Sequence, residues 1–295
     1  TFIIALVGAK AVGKSHYVAV LIHELKQRIG QLFNTSLLAV DEWTMKQYNE
    51  GLARYVYDKK EVIPATVSAR TNEAVKRPLV YRLKMPLIKM RIFTAEIEIL
   101  LVFFDTAGED LTALDIMKTE NRYIANADGL IFLLDPLQIP AVCDLLPESI
   151  TPPIERNNPE DIISRVSNLI GDIRKLKSSQ KIDIPVAVAF SKMDALHSIV
   201  DPLLMRASNH NGYFDISDSE MINDILVGHL EKWLGRNMIN LLVNYFKTFS
   251  LFGLSALGSS PDRAGKISGG VTPFRIEDPL LWILYKKGVI EGRKV

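Results

Sequence analysis

One cysteine, Cys143, stands in a chain of 295 residues. A lone thiol can neither close an internal disulfide nor supply a cysteine cluster for zinc, a pattern that suits a reducing compartment and makes cytoplasm the expected location. An excess of either charge is missing too. The 35 Lys and Arg face 34 Asp and Glu, a formal net charge of +1, so no global field gathers nucleic acid, which is not an expected partner. Long apolar runs are also lacking. The longest, Ile97 to Phe104, contains Glu98 and falls well short of the ~20 residues that cross a bilayer, so it reads as a buried strand and no transmembrane segment is expected. Thr1 opens the chain inside an apolar run, without the basic segment or cleavage site of a signal peptide; a start lacking Met is what an excised domain would show. His16, His23, His197, His210 and His229 share no metal-ligand spacing with Asp, Glu or Cys and are expected at the surface.

About half of the residues are apolar, enough for one large core or two modest ones. Phe2 to Val7 is a continuous apolar run of strand length, followed by a glycine loop and then by Val18, Leu21, Ile22, Leu25 and Ile29 at helical spacing, with Gly30 as the expected helix stop. Leu79 to Met85 alternates apolar and polar residues, and with Glu96 to Phe104 it predicts a hairpin. Apolar runs at Gly129–Leu134, Ile184–Phe190 and Phe249–Leu254 alternate with helical patterns such as Ile162, Val166, Leu169, Ile170 and Ile173, which predicts a mostly parallel sheet with helices on both faces. Asp278-Pro279 reads as an N-cap with Pro at the first helical position, and Gly288 as the end of that helix. Two connections, about fifty residues after Ile29 and about fifty-five after Asp194, exceed the usual ~2–6 and read as insertions at roughly 30–78 and 197–247 of a single domain spanning 1–295. The second carries helical patterns at Met221–Leu234 and Met238–Phe246, with Trp233, like Trp282, assigned to core packing. The Gly- and Ser-rich stretch Gly258–Pro273 reads as a mobile loop, and Arg174-Lys175-Leu176-Lys177 as a solvated helix end.

Gly8-Ala9-Lys10-Ala11-Val12-Gly13-Lys14-Ser15 fits the phosphate-binding loop GxxxxGK[ST], and it lies between a predicted strand and a predicted helix, the context the motif requires. Backbone N–H groups of such a loop converge on phosphate oxygens at a helix N-terminus, Lys14 reaches the β- and γ-phosphates, and the Ser15 hydroxyl ligates Mg²⁺. Asp105-Thr106-Ala107-Gly108-Glu109 follows the second apolar strand; there Asp105 can hold Mg²⁺ through water and the Gly108 N–H can approach a γ-phosphate. Ser191-Lys192-Met193-Asp194 and Ser255-Ala256-Leu257 end two further strands, where ligands bind in open α/β sheets.

Together these residues resemble the Ras-like, translation-factor-related class of P-loop GTPases, whose fourth signature is Asn-Lys-x-Asp and fifth Ser-Ala-x. The resemblance implies a three-layer α/β fold on a mostly parallel six-stranded sheet with one antiparallel strand, here with helical insertions, and GTP or GDP with Mg²⁺ as the bound nucleotide. It also implies that Asp194 pairs with the guanine ring N–H and amino group, that Lys192 packs over the base and that the Ala256 N–H meets the guanine oxygen. Ser191 stands where the class usually has Asn. The phrase Asp128 to Pro136 and the long first insertion are similar, more narrowly, to GTPase domains of prokaryotic double-GTPase conflict systems, which implies protein partners.

Glu109 replaces the water-positioning Gln of the Ras family, and a carboxylate can accept from water but cannot donate to a γ-phosphate oxygen. Lys10 and Ala11 stand where that family has glycines. Slow intrinsic turnover is therefore expected, rising with a partner or on dimerisation. Lys10 could aim its ammonium at the phosphates, and Arg54, Arg70 and Arg77 are candidate fingers. Thr66, and failing it Thr71, is the candidate switch hydroxyl for Mg²⁺. Two other readings stay open: a nucleotide-binding scaffold without useful turnover, and a P-loop ATPase.

Overall fold

The computed structural model describes residues 2–64, 77–89, 92–103, 123–148, 150–153, 156–177, 179–262 and 264–295. Seven strands make the main sheet: β1 (Phe2–Gly8), β2 (Ser36–Ala39), β3 (Leu79–Lys89), β4 (Ile92–Phe103), β5 (Gly129–Leu134), β6 (Ile182–Phe190) and β8 (Phe246–Gly253). Their order is β2-β3-β4-β1-β5-β6-β8. β1 pairs in parallel with β4 and β5, β5 with β6, and β6 with β8, whereas β3 runs antiparallel to both β2 and β4. The expected hairpin is present. The seventh strand, beyond the six expected, is β2 in the first insertion, four residues whose burial pattern is too short to display a period. A separate pair, β7 (Phe214–Asp215) and β9 (Gly292–Arg293), ties the end of the chain to the second insertion.

The apolar runs become the central strands because they are covered on both faces: every residue of β5 is buried, as are eight of the nine in β6. Helix α1 (Lys14–Lys26) lies against the sheet with Tyr17 to Ile22 buried, and α2 (Arg28–Phe33) continues after a break at Gln27. Gly30 does not stop the first helix. It lies inside α2, where a Cβ would come within 2.6 Å of the Leu25 carbonyl oxygen, so glycine is needed for close approach at the break; the left-handed cap is Asn34. The rest of the first insertion forms β2, α3 (Glu42–Lys46, capped by Asp41 through the Thr44 N–H) and a π-helical segment, Gln47–Lys59, that buries Tyr48, Leu52 and Val56. After β5 come the short α4 (Pro140–Cys143) and the amphipathic α5 (Pro159–Arg174), capped by Asn158. Its end is not simply solvated: Arg174 donates to the carbonyls of Ala125 and Ala127. In the second insertion α6 (Ile216–Leu234) and α7 (Asn237–Tyr245) match the expected patterns, with Trp233 buried. Asn223 of α6 accepts from the Leu251 N–H of β8 at 3.0 Å.

The last helix, α8 (Asp278–Lys286), packs tightly over β5: a Cβ on Gly129 would lie 2.5 Å from Ile283 Cγ2. Trp282 is buried, as expected. Asp278 is the first helical residue and not the cap, because its carboxylate is committed elsewhere. One Asp278 oxygen meets His210 Nε2 at 3.0 Å and the other accepts from Arg275 at 3.0 Å, while Arg275 makes a fork to Asp218 at 2.6 and 2.9 Å. Beside them Glu277 accepts from Arg28 and Ser208. His210 is thus buried rather than at the surface, its Nδ1 accepting from the Asp215 N–H so that the Nε2 proton faces Asp278. Solitary burial would raise the Asp278 carboxyl, but the hydrogen bond from His210 and the guanidinium of Arg275 outweigh it and hold it below the usual range. A depressed folded-state value stabilises the fold above the unfolded pKa of ~3.9, and that contribution is lost as pH falls through the depressed value. Asp278→Asn should therefore flatten the fall in Tm seen by calorimetry between about pH 5 and pH 2, at the cost of a lower Tm at neutral pH; an unchanged acid limb would show that the group does not titrate on unfolding.

Candidate functional site

The carboxyl ends of β1, β5, β6 and β8 face one cleft of about 570 Å³, lined by Ala9, Lys10, Ala11, Gly13, Lys14, Ser15, Ser191, Lys192, Asp194, Ser255, Ala256 and Leu257. Of the expected residues within the described set, Gly8 and Val12 support this lining from behind. A Cβ on Gly8 would lie 2.7 Å from the Leu133 oxygen and 2.9 Å from Val12 Cγ2, which is why this position has no side chain. Ala11 (φ 63°) and Gly13 (φ 88°) are both left-handed, so the loop bends back over the N-terminus of α1. Lys14 is buried and donates to the carbonyls of Gly8 (2.7 Å) and Ala9 (2.9 Å), drawing the loop into a ring around its ammonium. An alanine in the left-handed region costs roughly 1–2 kcal/mol, part of which glycine would give back in chain entropy. Ala11→Gly should raise stability by up to about 1 kcal/mol, read from chemical denaturation. No gain would mean that the loop relaxes out of this conformation.

Ser191 joins the loop to the sheet. Its hydroxyl lies 2.7 Å from the Val12 oxygen and 3.0 Å from the Leu134 oxygen, and with one proton to give it serves one of them at a time. Lys192, itself left-handed at φ 54°, swings its ammonium over the loop to the Ala11 oxygen (2.8 Å) and to Asp135 Oδ2 (2.6 Å). Burial pushes the Asp135 carboxyl up and Lys192 pulls it back. Asp194 accepts from Ser255 Oγ at 2.5 Å on one oxygen and from Ser260 Oγ at 3.2 Å on the other. Each carboxylate oxygen has a further lone pair, so two outward acceptors remain for neighbouring N–H donors. Ser255 is buried and also accepts from the Gly258 N–H, and its backbone pairs with Phe274 in an isolated antiparallel bridge.

Three groups at the site were not singled out from the sequence. His16, half-buried, accepts from the Ile63 N–H at 3.0 Å; burial, then the charge of Lys192, pulls the ring down to about 4, in keeping with a neutral acceptor. Buried Gln138 donates to the Lys10 oxygen (3.1 Å) and accepts from the Asn157 N–H (3.0 Å), pinning the loop from the β5 side. Asp135 is the third, and its signal was present: an acid at the carboxyl end of an apolar strand beside the strand of the phosphate loop.

The stretch Gly258–Pro273 is tied down rather than loose, because Val62 N–H donates to the Gly265 oxygen and Ile267 N–H to the Lys60 oxygen, both at 2.8 Å. Thr66, Thr71, Arg70, Asp105, Gly108 and Glu109 lie outside the described residues. Arg77 pairs with Asp41 and lies over the Trp43 ring, and neither Arg77 nor the exposed Arg54 lines the cleft. Among the described residues there is no group of three or more His, Cys, Asp or Glu that could hold a metal, and no helix long and apolar enough to cross a membrane. Mg²⁺ that arrives on phosphates needs only one or two protein oxygens, its other positions filled by phosphate and water, and Ser15 at the start of α1 fits that requirement.

These features define a cleft at the carboxyl ends of the strands of an α/β sheet, with a loop of the GxxxxGK[ST] pattern along one wall. No protein-family profile matches the chain. It is 26% identical over 310 residues to SaeC of Mycolicibacterium smegmatis, a candidate ESX-1 scaffolding and assembly protein, with 97% of this chain and 75% of that one covered. Among solved structures it is similar to the GTPase-like domain of Saccharomyces cerevisiae Ski7 bound to GDP and inorganic phosphate (15% identity, TM-score 0.41, 97% of this chain and 50% of that one). It is also similar to the signal recognition particle receptor SRβ–GTP/SRX complex of Chaetomium thermophilum (14%, TM-score 0.36, 88% and 93%). The chain thus spans about half the length of the Ski7 chain it matches.

Proposed function

We propose that this chain is a single-domain guanine-nucleotide-binding switch protein that takes GTP or GDP with Mg²⁺ and hydrolyses GTP slowly unless a protein partner stimulates it. One observation carries the reading: a carboxylate, Asp194, is held by Ser255 and Ser260 in the same cleft as the Lys14 phosphate loop, with Lys192 bridging the two halves. In this reading Gly8 to Ser15 and Gly108 receive the phosphates. Ser15, Thr66 and Asp105 hold Mg²⁺, Asp194, Lys192 and Ala256 read the base, and Glu109 faces the attacking water. A bound Mg²⁺ would neutralise charge between the phosphates. Lys14 would exchange its two carbonyl partners for phosphate oxygens, and the loop N–H groups would supply the remaining positive field. The narrower likeness to double-GTPase conflict systems belongs to this proposal, as do a protein partner and a cytoplasmic site of action.

A second reading, a scaffold that binds nucleotide without useful turnover, is favoured by the name of the SaeC relative and by Glu109, whose charge would repel the γ-phosphate. Multiple-turnover phosphate release from GTP, alone and with candidate partners, separates the two. Release above that of a Lys14→Ala control supports the switch, and release equal to the control with nucleotide still bound supports the scaffold.

A further inference from the structure

Two segments that are far apart in the chain meet over the nucleotide cleft. Val62, Ile63 and Pro64 line it, and so do Ser259 to Asp262. They are joined by an antiparallel bridge in which Glu61 stands opposite Lys266, flanked by the Val62–Gly265 and Lys60–Ile267 hydrogen bonds. The Lys266 ammonium also reaches Glu61 Oε1. Each side of the bridge is built for its position. Lys60 (φ 54°) and Gly265 (φ 77°) are left-handed, and Asp262 Oδ1 accepts from the N–H groups of Ala264 and Lys266 to shape the turn. Each side is also anchored to the site: Ile63 to His16, next to the phosphate-loop serine, and Ser260 to Asp194.

We propose that the Glu61–Lys266 bridge is a clasp that positions both walls of the cleft and must open before a nucleoside diphosphate or triphosphate can leave. The inference rests on the nucleotide-binding reading above and adds to it the residues that set retention. A bound nucleotide filling the cleft lies beneath a strap closed by two backbone hydrogen bonds, an ion pair and the side chain of Val62. Opening breaks all of these together, so the rate of release reports on residues that touch neither base nor phosphate. Gly265 has a specific part in this: a Cβ there would lie 2.9 Å from Val62 Cγ2 and would require a left-handed side-chain residue, so substitution forces the strap apart.

The pair flanked by those two hydrogen bonds is of the narrow, non-hydrogen-bonded kind, with Cα atoms about 4.5 Å apart, within disulfide reach. The test is Glu61→Cys/Lys266→Cys in a Cys143→Ser background, loaded with a fluorescent GDP analogue and then oxidised, with release followed after excess unlabelled GDP is added. Release should slow by about tenfold or more in the oxidised protein and return with reductant to the rate of the same double-cysteine protein before oxidation; conversely, Gly265→Val should speed it by a similar factor, the size expected for two backbone hydrogen bonds. Failure of the disulfide to form contradicts the register on which the clasp depends. Oxidised protein that releases at the reduced rate overturns the clasp alone. A Cys143→Ser protein that takes up no guanine nucleotide overturns the nucleotide reading and the clasp with it.

Discussion

Asp194→Asn is expected to lower affinity for GDP and GTP by roughly two to three orders of magnitude in calorimetric titrations with Mg²⁺. The carboxylate can accept from two adjacent N–H donors, and each hydrogen bond to a charged acceptor contributes about 1.5–3 kcal/mol. The amide replaces one acceptor with a donor, which meets a donor on guanine, so one bond is lost and one repulsion is gained. The fold should not suffer. An Asn oxygen can still accept from Ser255, whose hydroxyl lies 2.5 Å from the present carboxylate, and the amide nitrogen can donate to Ser260. Adenine presents no such donor pair, so ATP binding should be insensitive to the change. ATP bound as well as GTP, with both indifferent to the substitution, would leave the phosphate loop standing and replace the guanine reading with the ATPase one.

Arg275→Met is expected to be the most destabilising of the single substitutions considered, at about 3–5 kcal/mol, which for a chain of this size corresponds to a fall in Tm of roughly 5–8 °C. Arg275 is 1% exposed and neutralises both Asp218 and Asp278; without it, neither carboxylate has a guanidinium partner, and Asp278 is almost wholly out of water. The cluster also fixes the chain immediately after Phe274, the residue that pairs with Ser255. Nucleotide affinity should therefore weaken in Arg275→Met even well below its melting temperature. Lys247→Ala, which removes an ion pair with both side chains more than half exposed, should leave Tm where it is. If Arg275→Met melts with the wild type, the buried charges are being solvated by another route.

Strands that form the middle of the sheet were legible in the sequence because burial on both faces leaves unbroken apolar runs, and β5 was located to the residue. β2 was not, since Ser36-Leu37-Leu38-Ala39 is too short to display a period and its residues do not alternate apolar with polar. Gly30 was misread for a related reason: a glycine at a helix end and one at a close backbone approach look alike until the Leu25 carbonyl is in place. The phosphate loop, Lys192, Asp194 and Ser255 could be placed together because each follows a strand, and parallel strands deliver their carboxyl ends to one side. His16, Gln138 and the Val62–Gly265 contact could not, as their partners lie 47, 128 and about 200 residues away and are backbone groups with no sequence signature. The buried cluster around Arg275 was hidden likewise: its charged residues are spread from Arg28 to Asp278 and each, read alone, resembles a surface group.

Half of the proposed base pocket hangs from β8, which among the described residues is an outermost strand with a neighbour on one side only. Such a strand usually offers its free backbone groups to any extended chain that drifts past, and growth by self-association starts there. Here the Asn223 side chain accepts the Leu251 N–H, so a helix contributes one amide where an eighth strand would have contributed a row. That cap comes from the segment between Asp194 and Ser255. The same helix, which lies between Asp194 and Ser255 in the chain, thus occupies an edge amide that an incoming strand would need.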